Sequence, residues 1–300
     1  MKTPEPQNLP GIPESEAQLA ERARLQPLDA KIERAVKLLR SYEPQALRYA
    51  PTGYYLAFSG GKDSIVCKKL CQEAGVRFRA VYNNTTIDPP ELHAYLREHH
   101  PDVEWAGPPK GQGFFSHLRK RGLPRQHVRW CCSYLKESGG REEFKIIGVR
   151  AAESARRAAL WKEFTLNREA GAPFLAPIVH WTDDDVWAFI RDRALPYCPL
   201  YDQGFSRIGC IGCCMKGGKS VQEDFKRWPR HARAYEAAAR IYFASAIERR
   251  KAQGKRIDDT FEDYWRIWLD LPPIKPTCAA EDLFAQAGGG TSESDGKEEE

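Results

Sequence analysis

Six consecutive residues, Ser59-Gly60-Gly61-Lys62-Asp63-Ser64, constrain this chain more than any other feature. They follow the short apolar run Tyr54–Phe58 and precede Ile65–Glu73, whose apolar residues recur at helical spacing. The pattern reads as a buried strand, a tight turn and a helix. Two adjacent glycines let the backbone turn sharply and bring bare N–H groups close to an anion. The helix that follows points its positive end at the same place. Ser59 and Ser64 add hydroxyl donors, and Lys62 adds charge. The spacing is not that of the Gly-x-x-x-x-Gly-Lys-Ser/Thr loop, which separates its glycines by four residues. The bland alternative is a Gly-Gly turn that merely joins strand to helix. The whole string in this context predicts a phosphate cradle.

The remaining pattern alternates in the same way. Asp29 is placed to cap a helix running through Ile32, Val36, Leu38 and Leu39. Arg77–Asn83, Lys145–Val149 and Pro177–Val179 read as strands, and Glu91–His100 and Asp183–Arg191 as helices. Strands alternating with helices predict an α/β fold, a parallel sheet with helices on both faces. Gln222–Leu269 is helical in pattern and rich in Arg, Tyr and Trp, a helical C-terminal addition. The boundaries are a flexible arm over 1–27, a nucleotide-binding and cysteine-bearing domain over 28–220, a helical region over 221–285 and a disordered tail over 286–300. An apolar content of 42%, with 13 Phe, 12 Tyr and 8 Trp, suffices for a sizeable core. No run approaches the roughly 18 apolar residues of a membrane span. The N-terminus lacks the basic-then-apolar plan of a signal peptide, so the expectation is a cytoplasmic protein without a membrane partner. Net charge is +5, and the last ten residues hold five acids and one lysine. The rest therefore carries about +9, which suits an anionic substrate and permits a nucleic-acid partner.

Nine cysteines without an export signal point to metal ligation or redox chemistry rather than disulfides. Cys131-Cys132 follows Trp130, and Cys210 and Cys213 form a C-x-x-C, whose spacing lets two thiolates face one centre. Zinc prefers tetrahedral ligands offered as spaced pairs, and an adjacent pair serves it badly. A four-iron cluster presents separate corners that neighbouring thiolates can reach singly. Unligated thiols are the bland alternative. Cys214 is a fifth candidate beside the second pair. Cys67 and Cys71 share one helix face and read as core packing, as does Cys198 among Tyr197 and Pro199.

The loop string matches the signature of the PP-loop adenine-nucleotide enzymes. With the cysteines, the chain resembles the phosphoadenosine phosphosulfate (PAPS) reductase family from about Tyr54 to Cys214. Asn84-Thr85-Thr86-Ile87-Asp88-Pro89-Pro90-Glu91 resembles the family's Asp-Thr-Gly-x-x-Phe-Pro-Glu. Gly148-Val149-Arg150 through Arg157 resembles its Gly-x-Arg-x-x-Gln-Ser-x-x-Arg, and Pro199–Cys210 follows its run into the second cysteine pair. The resemblance implies a PP-loop (adenine nucleotide α-hydrolase-like) fold acting at the α-phosphate side of adenosine phosphosulfate, PAPS or ATP. It places Ser59 to Ser64 at the phosphates and Asn84 and Thr85 near the adenosine. It implies a [4Fe-4S] cluster on Cys131, Cys132, Cys210 and Cys213, as in the iron–sulfur branch, and a thiol reductant or sulfur donor as partner. Arg150 follows an apolar strand, where open α/β sheets place ligands. With Arg157 it is assigned to the anionic end of the substrate, since guanidinium groups bind phosphate and sulfate oxygens in a plane.

Two departures matter. The family's terminal Glu-Cys-Gly-Leu/Ile-His string, which carries its nucleophilic cysteine, is absent, leaving Cys278 as the late thiol. Asn84 replaces an acidic residue and Thr86 a glycine. The leading expectation is a sulfonucleotide reductase releasing sulfite. The alternative is an ATP-dependent sulfur-activating enzyme acting on nucleic acid, similar to the one in DNA phosphorothioation. Tail residues such as Arg227, Trp228, Arg230, Arg233, Arg249, Arg250 and Lys251 suit such a partner, or else a solvated helix face.

Overall fold

The computed structural model describes residues 16–167, 171–254, 260–272 and 274. The chain begins with α1 (Glu16–Arg24) and α2 (Leu28–Tyr49), then β1 (Tyr54–Ala57), α3 (Lys62–Ala74) and β2 (Phe78–Asn83). It continues through α4 (Pro90–His99), β3 (Glu104–Ala106), α5 (Phe114–Arg121), α6 (Trp130–Leu135), β4 (Lys145–Ile146) and α7 (Ala155–Leu160). A hairpin of β5 (Phe164–Asn167) and β6 (Ala172–Leu175) precedes α8 (Asp183–Asp192), and α9 (Gly218–Arg227), α10 (Pro229–Ala252) and α11 (Phe261–Trp268) complete the order. None of the described helices is long and apolar enough to cross a membrane. Where an arm is expected over 1–27, α1 occupies residues 16–24. The expected tail over 286–300 lies outside the described residues.

The chain forms two compact units that interleave along the sequence. The first comprises residues 1–82, 98–104 and 140–198, and the second residues 83–97, 105–139 and 199–300.

The first unit is organised by β1. Tyr54, Tyr55 and Leu56 are buried, as a strand covered on both faces requires. The strand order is β3-β2-β1-β4-β6-β5. β1 pairs in parallel with β2, Tyr54 opposite Phe78, and with β4, Tyr55 opposite Lys145. β4 pairs in parallel with β6, whereas β5 runs antiparallel to β6. The sheet is thus mostly parallel and flanked by helices, with one antiparallel edge strand that the alternation did not reveal. α3 makes the β1-to-β2 crossover and packs on α2 and α8. Cys67, Cys71 and Cys198 are fully buried, as their pattern predicted. The strand expected at Pro177–Val179 is instead a turn. Pro177 has no N–H to give a ladder, and Val179 N–H donates back to the Ala176 carbonyl at 3.2 Å.

The second unit is helical and aromatic. α5 packs on α10, and Phe114, Trp130, Tyr235, Tyr264 and Trp268 are buried in one cluster. Tyr235 stacks on Trp268 with ring centroids 5.8 Å apart. The Tyr264 hydroxyl accepts from Leu123 N–H at 3.0 Å, and the Trp268 indole donates to the Pro124 carbonyl at 2.8 Å. Most of the tail aromatics are therefore core.

Gly53, at the head of β1, has φ +82°, and a Cβ there would lie 2.0 Å from the Arg77 carbonyl oxygen. Gly75 also has a positive φ (+67°), but a Cβ would meet nothing within 4 Å. Gly75→Ala is expected to lose about 1 kcal/mol from left-handed strain alone. Gly53→Ala must also displace the β1–β2 pairing and is expected to lose at least about 2 kcal/mol more. Urea unfolding of the two variants side by side checks this.

Candidate functional site

In the first unit the glycine loop leaves the C-terminal end of β1. Gly60 has φ +72°, a conformation that a residue without Cβ adopts at no steric cost. Gly61 is the N-cap of α3 without a side-chain cap, so the first N–H groups of this helix have no side-chain acceptor at the cap. Ser64 fixes the loop from inside. Its hydroxyl donates to the Gly61 carbonyl at 2.8 Å and accepts from Ser59 N–H at 3.2 Å. Gly61 N–H donates to Ser59 Oγ at 3.3 Å. The two serines thus shape the loop among themselves, beyond the donor role read from the sequence.

Charge around the loop is concentrated in four side chains. Arg150, 4% exposed, donates through Nε to Asp63 Oδ1 at 2.6 Å and through a terminal nitrogen to Asp183 Oδ1 at 2.8 Å. The Lys62 ammonium lies 3.2 Å from the same Asp183 oxygen. Burial lowers the Arg150 pKa, but Asp63, Asp183 and Glu153 outweigh it, so the guanidinium stays charged. Burial pushes the Asp63 carboxyl up, against the pull of Arg150 and Lys62. A Cβ on Gly148 would come within 3.0 Å of the Asp63 backbone, so a glycine is needed there for the segment after β4 to approach the loop. Arg157 ion-pairs with Glu153, and its backbone N–H donates to the N-cap Ser154 of α7 at 3.2 Å. The structure therefore joins Arg150 to the loop and Arg157 to its own helix turn.

In the second unit, Cys131, Cys132, Cys210, Cys213 and Cys214 line one small cavity with Thr85, Lys136 and Tyr235. All four cysteines paired in the sequence meet there, and the fifth joins them. Each vicinal pair behaves alike. The neighbouring Cys131 thiol pulls the Cys132 pKa down against burial, helped by Lys136 and Arg129. The neighbouring Cys214 thiol likewise pulls the Cys213 pKa down against burial. Cys131 and Cys214 are pushed up by the neighbouring Cys132 and Cys213 and by burial. Burial raises Cys210 to about 11 although Lys136 pulls it down. Nearby Cys210 and then Asp88 raise the Lys136 pKa against burial. The C-x-x-C loop is held by Asp224, 4% exposed, which accepts from Gly212 N–H at 2.9 Å and from Lys216 at 2.8 Å. The Tyr235 hydroxyl donates to the Ile211 carbonyl at 2.9 Å.

Thr85, assigned by sequence to the adenosine, has its hydroxyl 3.5 Å from the Cys210 sulfur, while Asn84 Oδ1 accepts from Thr86 N–H at 2.8 Å. Thr86, at the family's glycine position, has φ +65°, a strained value for a β-branched residue. Its hydroxyl compensates by accepting from Phe114 N–H at 2.9 Å. Cys278 lies outside the described residues. Asp183, Lys136 and Asp224 carry no motif and escaped the sequence reading. Lys136 alone left a trace, standing four residues after Cys132.

Among the described residues, no three His, Cys, Asp or Glu side chains converge to grip a single metal ion. The shared cavity nonetheless gathers five thiols beside a cation, an arrangement that fits separate corners of a multi-iron cluster better than one tetrahedral ion.

The chain matches the model of the "phosphoadenosine phosphosulfate reductase domain" over residues 53–216, more than half of its length. It is 28% identical over 228 residues to an uncharacterized protein of Methanocaldococcus jannaschii, covering 72% of this chain and 52% of that one. It is 26% identical over 182 residues to adenosine 5'-phosphosulfate reductase of Bacillus cereus, covering 57% of this chain and 77% of that one. A crystal structure of phosphoadenylyl-sulfate reductase from Candida auris, a phosphate complex, aligns with TM-score 0.43 and 17% identity over 67% of this chain and 98% of that one. The chain spans about half the length of the first curated relatives it matches.

Arg150→Lys keeps the charge but loses the planar fork that spans Asp63 and Asp183. It is expected to weaken adenine-nucleotide binding about tenfold, the worth of one charge-assisted hydrogen bond. Calorimetric titration with ATP and adenosine phosphosulfate, beside a thermal melt to confirm folding, measures it.

Proposed function

The chain belongs to the phosphoadenosine phosphosulfate reductase domain family, and from that premise we propose that it reduces a sulfonucleotide, adenosine phosphosulfate or PAPS, to sulfite. The observation that carries this reading is the loop of Gly60 and Gly61 with Arg150 fixed beside it by Asp63 and Asp183. Backbone N–H groups and the start of α3 hold the phosphate, and Lys62 and Arg150 provide positive charge for the sulfate or β-phosphate end. A thiolate attacks the sulfate sulfur, the S–O bond to the nucleotide breaks, and AMP or its 3'-phosphate form leaves. The resulting thiosulfonate is then attacked by a second thiol from the reductant, which releases sulfite and leaves a disulfide.

Cys131, Cys132, Cys210 and Cys213 would hold a [4Fe-4S] cluster, which supplies a redox-capable, charged centre when bound. Lys136 would offset thiolate charge in that pocket, and Asp224 would keep Cys210 and Cys213 at their spacing. Anaerobically purified protein is expected to be brown with about four irons per chain, as one cluster requires. Cys132→Ser and Cys213→Ser should bleach it, whereas Cys214→Ser should not. Stoichiometric zinc without iron would refute the cluster.

A second reading has its own support in Asn84 and Thr86, which stand where the family has an acidic residue and a glycine. It is ATP-dependent sulfur activation with nucleic acid as the acceptor, using the same loop and thiols. Cys278→Ser separates the two chemistries. In a reductase it abolishes sulfite release while nucleotide affinity and iron content stay at wild-type values. If wild-type protein yields no sulfite from either sulfonucleotide but converts ATP to AMP and pyrophosphate, the reductase reading falls. Ion chromatography of sulfite and nucleotide products distinguishes these outcomes.

A further inference from the structure

Between Glu104 and Glu137 the sequence contains seven Lys and Arg residues and no acid. In the second unit this stretch builds α5, the loop after it and α6. Lys120, Arg121 and Arg129 are exposed there, and among the described residues none of them has a carboxylate ion pair. Other arginines of this protein do: Arg34 pairs with Glu163, Arg79 with Glu143, Arg193 with Glu73 and Arg227 with Glu91. An uncompensated cluster of one sign attracts a polyanion instead.

An aromatic platform lies within the cluster. Tyr134, 46% exposed, carries the Arg121 guanidinium 4.5 Å from its ring centroid, and Arg121 donates to its hydroxyl at 2.6 Å. His117, one turn before Arg121 on α5, has its ring 4.6 Å from the Tyr134 ring. Burial and then the charges of Arg121 and Lys120 lower the His117 pKa, consistent with a positive field that no neighbouring acid cancels. Cations that track a phosphate backbone beside an exposed ring that can stack a base are the elements of single-strand recognition.

The C-terminal helices, where the sequence placed this role, are less suited. Arg227 is bound to Glu91 and Lys251 to Glu248, and among the described residues Arg230 and Arg233, though exposed, have no ring contact that would form a platform.

We propose that His117, Lys120, Arg121, Arg129 and Tyr134 form a docking surface for single-stranded nucleic acid, with a base stacked on Tyr134. Tyr134 stands on the same helix as Cys131 and Cys132, so a strand bound there lies beside the thiol pocket. The purpose of that strand as sulfur acceptor rests on the second reading above; the binding itself does not.

The test is fluorescence anisotropy of the full chain with a labelled 20-nucleotide single strand, the matched duplex and heparin, each titrated across a salt series. Wild-type protein should bind the single strand at low salt, with affinity falling steeply as salt rises. Lys120→Ala/Arg121→Ala/Arg129→Ala together should weaken it at least about tenfold and flatten the salt slope by about 0.7 for each phosphate no longer neutralised. Tyr134→Ala should weaken the single strand about fivefold or more while changing heparin binding little. Arg230→Ala/Arg233→Ala on α10 should leave both unchanged. ATP affinity, measured in every variant, should stay at the wild-type value, which shows intact folding and keeps this test separate from nucleotide turnover. No strand binding by wild-type protein, wild-type affinity in the triple variant, or equal losses for heparin and strand in Tyr134→Ala would each overturn the proposal.

Discussion

One guanidinium ties three distant segments of the first unit together. Arg150 reaches Asp63 on the first turn of α3 and Asp183 at the start of α8, segments separated by over a hundred residues of chain. It lies just past β4, whose parallel pairing with β1 brings their C-terminal ends side by side. A buried arginine with one carboxylate partner would be poorly compensated for its lost hydration. With two carboxylates, and with Lys62 sharing one of them, the charges balance and the loop is fixed before any ligand arrives. A loop fixed in this way loses less conformational freedom when an anion binds.

The thiol pocket follows a different logic. Vicinal cysteines on α6 and at the end of the C-x-x-C influence each other, so within each pair one thiol is pushed down and the other up. Lys136 supplies the compensating cation. Several thiolates in a buried cavity would otherwise repel one another and resist ionisation. Asp224, itself buried, fixes the turn between Cys210 and Cys213 through Gly212. The fifth thiol, Cys214, is a member of the pocket and not a bystander to it.

Departures from the family pattern have local physical accounts. Threonine at position 86 takes a left-handed conformation that a glycine would adopt freely. Its hydroxyl caps Phe114 N–H at the start of α5, a bond glycine cannot make. Gly113 lies so close that a Cβ there would meet the Thr86 hydroxyl at 2.9 Å, so the two positions fit each other. The run of unpaired basic side chains begins on that same helix.

What the sequence determined by itself was whatever is written in local pattern. The Gly-Gly turn between an apolar run and a helical segment specifies a strand–loop–helix, because the chemistry lies in consecutive residues. Helical spacing likewise placed α2, α3, α4 and α8 to within a few residues, except that α2 runs on past Pro44 to Tyr49. Paired cysteines announced a thiol centre through their spacing alone. The tertiary structure decided the rest. Asp183, Asp224 and Lys136 gain their roles from partners that folding brings close, and no spacing rule reports these. The antiparallel β5 was hidden because one short strand reads alike in either direction. Basic residues on the C-terminal helices and on α5 look equivalent as letters. Only the fold shows that Arg227 and Lys251 are matched by carboxylates while, among the described residues, Lys120, Arg121 and Arg129 are not, because charge compensation depends on distance in space and not on order along the chain.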